Sequence, residues 1–124
     1  MDESSKSSIQ ARRVYSMIFS TVYPMYIKKV EKKGKTKKEV DEIIYWLTGY
    51  DEESLQEQLD KKCTLETFFA EAPKINSNVT KITGKICGYR IEDIKDEVIQ
   101  KVRYLDKLVD ELARGKSMDK ILRK

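Results

Sequence analysis

Between Thr80 and Ile94 the chain reads TKITGKICGYRIEDI, with a thiol, Cys87, next to Gly88 and three residues after Gly84. Lys85, Tyr89 and Arg90 stand within three positions of it. Cations beside a thiol favour the thiolate, and glycines let a substrate come close. The same residues suit an anion, with backbone amides as donors and Arg90 as a two-pronged fork. Thiol chemistry also wants a base, and the sequence contains no histidine. A small buried apolar cysteine is the plainer reading, and no G-x-x-x-x-G-K-[ST] pattern marks a phosphate loop. Lys85, Cys87, Tyr89 and Arg90 are therefore candidates for ligand binding. No catalytic residue is assigned, and the reading leans away from an enzyme.

Carboxylates follow closely: Glu92, Asp93, Asp96 and Glu97. They could hold a divalent ion or act as an acid–base pair. Acidic residues at a helix start, complementing its dipole, explain them more simply. Asp106 and Asp110, one helical turn apart, read as members of surface ion pairs. Cys63 and Cys87 are too far apart for a metal knuckle or a redox pair, so no metal and no cofactor is expected, and reduced thiols fit a cytoplasmic protein.

The densest charged feature is basic. Lys28, Lys29, Lys32, Lys33, Lys35, Lys37 and Lys38 fall within eleven residues, opposed there only by Glu31. They suit phosphate contacts with nucleic acid or an anionic membrane surface. Cations gathering at a helix C-terminus before Gly34 are the simpler account. Trp46 and Tyr50, one turn apart beside an apolar stripe, are candidates for an interface or a pocket wall.

The elements that must position these residues are mostly helical. A chain of 124 residues with 40% hydrophobic and 37% charged residues, five glycines and two prolines suits one helix-rich domain. Residues 1–10 read as a disordered polar tail without the apolar region of a signal peptide, and 11–124 as a single helical domain. Val14, Ile18, Val22 and Tyr26 form a helical stripe with Tyr15, Phe19 and Tyr23 beside it. Pro24 should kink that helix or divide it around Ser20–Pro24, with Ser20 or Thr21 capping the second part. Thr36 and Glu39 form a capping box ahead of Val40, Ile43, Ile44 and Leu47, and Gly49 closes that helix. Asp51 caps a helix through Leu55 and Leu59. Thr64 caps another with Leu65, Phe68 and Phe69, stopped by Pro73. Lys74–Val79 reads as a loop, followed by an extended piece around Ile82–Ile86. Asp96 caps a long helix carrying Val98, Val102, Leu105, Val109 and Leu112. Ser117 caps a last turn. The fold class is all-α: five or six helices with one irregular or briefly extended segment at about 80–90.

The phrases RVYSMIFSTVYPMY, KKGKTKKEVDEIIYWLTGY, FFAEAP, ITGKICGYRIEDI and RYLDKLVDELARGKSMDKILRK together resemble the domain-of-unknown-function family 2200 of small bacterial proteins. The resemblance runs from about Arg12 to Lys124. It implies a mostly helical, cytoplasmic, single-domain protein and names no activity. The family often has histidine where this chain has Met25, and proline where it has Glu97. A histidine mechanism at the first position cannot operate here, whereas proline and glutamate both serve a helix's first turn. The function reading is a small binding or protein-interaction module whose partner is another protein or a second copy of itself. The alternatives are a nucleic-acid-associated protein using the lysine run, or an enzyme around Cys87 and Arg90. No segment is long enough to span a membrane.

Overall fold

Two capping boxes, the expected one at Thr36 and a second where Asp51 was expected as a simple cap, set the helical frame in this computed structural model, which describes residues 12–86 and 88–123. The Thr36 hydroxyl accepts from the Glu39 amide while the Glu39 carboxylate accepts from the Thr36 amide, starting a helix at Lys37–Thr48. Asp51 and Ser54 do the same for Glu52–Asp60. After a helical segment at residues 12–16, six α-helices follow one another among the described residues: α1 Phe19–Glu31, α2 Lys37–Thr48, α3 Glu52–Asp60, α4 Leu65–Ala70, α5 Glu97–Ala113 and α6 Met118–Ile121. Two 3₁₀ turns, Ser77–Lys81 and Ile91–Asp93, flank a hairpin of β1 Lys85–Ile86 and β2 Tyr89–Arg90. The protein is a small, predominantly helical domain. No helix among the described residues is long and apolar enough to cross a membrane.

The apolar periodicity sets the packing. Val40, Ile43, Ile44 and Leu47 of α2 are fully buried, as are Leu105, Leu108, Val109 and Leu112 of α5. They close with Phe19 and Val30 of α1 over a central α1–α2–α5 layer. Phe19 stacks on Phe68 with ring centroids 3.9 Å apart, which brings α4 against α1.

The first helix begins elsewhere than its proline suggests. Residues 12–16 are helical, and the break falls at Met17–Ile18, not at Ser20–Pro24. Ile18 pairs with Thr64 as an isolated antiparallel bridge: the Phe19 amide donates to the Cys63 carbonyl, and the Leu65 amide to the Met17 carbonyl, both at 2.8 Å. That pairing draws Ile18 into extended backbone and starts α1 without any side-chain cap, so neither Ser20 nor Thr21 serves as one. Pro24 sits inside α1 on its exposed side. The Lys35 and Gly34 amides return to the carbonyls of Val30 and Glu31 at the other end, a Schellman closure with Gly34 at φ +78°.

Two further expectations change. The Lys74–Val79 loop runs into a 3₁₀ turn, Ser77–Lys81, begun by the Asn76 side chain. The extended piece is not Ile82–Ile86 but Lys85–Ile86, and it pairs with Tyr89–Arg90. Asp96 caps α5 through the Ile99 amide as expected. Ser117 precedes α6 but makes no side-chain cap bond. The tail at residues 1–10 lies outside the described residues.

Candidate functional site

The hairpin is anchored on α5. Its register sets Lys85 opposite Arg90 and Ile86 opposite Tyr89, so each pair shares one face. Ile86 packs on the core, which turns the Ile86–Tyr89 face inward and leaves Lys85 and Arg90 outward and exposed. Tyr89 is nevertheless 47% exposed. The guanidinium of Arg103, on α5, lies 5.4 Å from the centre of its ring. One turn along α5, the Lys107 ammonium donates to the Lys85 carbonyl. The Ile91 amide closes the hairpin onto the Gly84 carbonyl. Arg90 faces Glu92 at 3.8 Å, and the Glu92 carboxylate also accepts from the Gly84 amide.

Behind the hairpin, α5 meets α1 through polar contacts. Tyr26 donates to Asp106, whose second oxygen accepts from Arg103 Nη1 at 2.8 Å. Further along, Asp110 takes Lys29 on one oxygen and Arg114 on the other. Tyr15 donates to Asp96 at the opposite end. Asp106 and Asp110, expected as surface ion pairs, thus bridge two helices. Arg103 was not singled out from sequence, and Tyr26 was read as part of an apolar stripe, not as a partner of α5. The signal that marks them is their spacing, one turn from Asp106 on α5 and one turn before Lys29 and Val30 on α1.

The candidate residues end in different places. Lys85, Tyr89 and Arg90 gather on the hairpin. Cys87 lies outside the described residues. Tyr50 is a core residue, 4% exposed, its hydroxyl donated to the Phe68 carbonyl, and burial pushes that hydroxyl's pKa upward. Only Trp46 of that pair keeps surface, half-buried against the core. In the lysine run, Lys29 bonds Asp110 and Lys37 bonds Asp41. Lys28, Lys32, Lys33 and Lys38 are exposed, and no salt bridge among the described residues holds them.

Other ionisable groups serve the fold. Tyr23 and Lys37 both donate to Asp41, itself only 9% exposed. Burial first, and then the Asp41 carboxylate, push the Tyr23 pKa up to about 12. The bond to Asp96 does most to raise Tyr15 to about 12. Burial and the nearby Glu71 raise the Cys63 thiol above its ordinary value, which disfavours the thiolate. On α3 the side chains of Asp51, Glu52, Glu53, Gln56, Glu57 and Asp60 line an open groove of about 710 Å³. Among the described residues no cluster of three or more potential metal ligands occurs.

Fold and site together define a small helical domain with one surface hairpin pinned to its longest helix. The chain belongs to the family described as uncharacterized protein conserved in bacteria (DUF2200), whose model matches residues 13–123. The crystal structure of the uncharacterized protein SP1917 is similar: 44% identity, 90% of this chain and 91% of that chain covered, and a TM-score of 0.85. No curated protein matches the chain significantly.

Proposed function

We propose that the protein is a binding module without a catalytic step, and that its recognition surface is the hairpin with the α5 face beneath it. The observation that carries this reading is Tyr89: a half-exposed aromatic ring backed by the Arg103 guanidinium, on a hairpin that turns Lys85 and Arg90 outward. Aromatic and arginine side chains together are the composition of recognition surfaces. Among the described residues, the large hydrophobics exposed elsewhere are Met17, at the break before α1, and Met25, on α1. Two methionines and a tyrosine make a small apolar surface for an obligate homodimer, so a charged or polar partner fits better than a second copy. Thermal melting against a panel of anionic metabolites, nucleotides and short RNA and DNA tests the reading, since a ligand of the native state raises the midpoint by mass action. A shift that is lost in Y89A and R90Q supports it. A shift that both variants keep moves recognition elsewhere.

A second reading rests on Lys28, Lys32, Lys33 and Lys38, exposed and without a carboxylate partner among the described residues. It makes the end of α1 a contact for nucleic-acid phosphates. Binding should then weaken steeply with salt and fall when these lysines are changed to glutamine. Binding indifferent to salt excludes it.

A further inference from the structure

Arg103 holds more hydrogen-bonding capacity than its neighbours use. Its side chain is 19% exposed, and its Nη1 donates to Asp106 Oδ2. Its Nε is buried with no acceptor, and Nη2 has none either among the described residues. Nε and Nη2 form the side-on edge of a guanidinium, where two parallel N–H groups match the two oxygens of a carboxylate or phosphate. A buried donor without an acceptor is costly. A guest anion would satisfy it.

The local charge points the same way. Asp106 is the carboxylate paired with Arg103, and its other oxygen accepts from Tyr26. Lys107, one turn from Arg103 on the same side of α5, donates to the Lys85 carbonyl and forms no salt bridge among the described residues. Lys85 and Arg90 add positive charge on the hairpin above, offset by Glu92. The Tyr89 ring lies over the guanidinium and is half in solvent, so it is the side chain whose rotamer change would give a small guest access. The α3 groove is the opposite case: its lining is acidic and repels anions.

We propose that the Nε–Nη2 edge of Arg103, beside Lys107 and under the Tyr89 ring, is a binding site for an oxyanion, a carboxylate or phosphate group carried by a small ligand. It rests on the reading of the hairpin as the recognition surface and names the chemistry recognised there.

The test is a titration of the full chain, ¹⁵N-labelled, with inorganic phosphate and separately with acetate, at ionic strength held constant with chloride. Two sets of NMR signals are followed: the Arg103 Nε–Hε cross-peak, and the backbone amides of Gly84, Lys85, Tyr89 and Arg90. A saturable shift of the Arg103 cross-peak is expected with at least one anion, and which anion acts separates phosphate from carboxylate recognition. R103K keeps the charge but removes the fork, and should abolish the accompanying amide shifts. An unmoved Nε–Hε cross-peak in the native protein overturns the site whether or not R103K folds. If the hairpin amides still respond while that cross-peak does not, Arg103 is not the anion site and the hairpin surface stands. If neither set responds to these or to the melting panel, both readings fall.

Discussion

Tyr26 donates its hydroxyl to Asp106 at 2.5 Å across the contact between α1 and α5. The pair is 80 residues apart in sequence, and Tyr15–Asp96 and Lys29–Asp110 are each 81 apart. A near-constant separation means that the two segments run parallel and in step; antiparallel neighbours would keep a constant sum. The three polar contacts fix the register that apolar burial alone leaves loose. A hydrogen bond to a charged acceptor contributes roughly 1.5–3 kcal/mol. Tyr26→Phe should therefore lower stability by about 2 kcal/mol in urea unfolding. Asp106→Ala should cost more, because it leaves Arg103 mostly buried without its carboxylate. An Asp106→Ala effect smaller than that of Tyr26→Phe would contradict this arrangement.

The C-terminus is held by a second carboxylate. Glu111, 9% exposed, receives Arg123 through both Nη atoms, and Lys116 bonds its Oε2. Burial raises the Glu111 pKa, but Arg123 and then Lys116 outweigh it, so the carboxyl sits below its ordinary value. Arg123 also donates to the Lys81 and Ile121 carbonyls, and its own carbonyl accepts from Asn78. Arg123→Ala should cost about 3 kcal/mol, since it leaves the buried carboxylate half-paired. The sign of the pH effect follows from the depressed pKa. The contribution is complete above the unfolded value and disappears as pH falls through the folded one. Native stability should thus drop in the acid range below pH 4.5, and the drop should be shallower in the variant.

Tyr23 gives the opposite limb. Its folded pKa of about 12 stands above the ordinary 10 because burial and Asp41 favour the neutral phenol. A raised pKa stabilises the fold below pH 10, and the contribution is lost as pH rises toward 12. Alkaline titration followed by phenolate absorbance should show several late-ionising tyrosines, Tyr15, Tyr23 and Tyr50 among them, and Tyr23→Phe should reduce their number by one. If all tyrosines in the native protein titrate together near pH 10, the buried Tyr23–Asp41 pair is not formed.

Two glycines separate backbone strain from crowding. Gly34 and Gly49 have nearly the same φ, +78° and +79°. A Cβ at Gly34 would meet nothing within 4 Å, whereas one at Gly49 would lie 2.9 Å from the Lys74 amide nitrogen. That close approach exists because the Lys74 and Asn76 amides donate to the Thr48 and Leu47 carbonyls at the end of α2. Gly34→Ala should cost about 1 kcal/mol for the left-handed backbone alone. Gly49→Ala should cost clearly more and loosen the 74–76 segment, a difference that paired unfolding curves would reveal.

Local chemistry was the legible part of this fold. Thr36 with Glu39, Asp51 with Ser54, Thr64 with Thr67, and Asp96 with Ile99 cap helices over three residues, a range that the sequence displays. The α1 start was not legible, because the bridge between Ile18 and Thr64 is a tertiary pairing of backbone groups that no side-chain pattern encodes. The hairpin was legible only as glycines and irregular periodicity. Its anchoring by Arg103 and Lys107 depends on α5 passing beneath it, so the candidate site was half visible: Lys85, Tyr89 and Arg90, without the cations that support them.

The parallel course of α1 and α5 also bears on the lysine run. Both helices end at the same side of the molecule, so the negative ends of two macrodipoles lie together where Lys29 and Arg114 share Asp110. Lysines at 28, 32 and 33 suit that potential without any partner. The two roles separate by salt. If the lysines complement the helix ends, K28Q/K32Q/K33Q should lower the melting midpoint at low ionic strength, and the difference should shrink as salt screens it over about 10 Å at 0.1 M. If they serve a polyanion instead, the midpoint of the isolated protein should stay level or rise as like charges are removed, and the loss should appear only in binding. A salt-dependent destabilisation with unchanged nucleic-acid binding would leave the run as part of the fold.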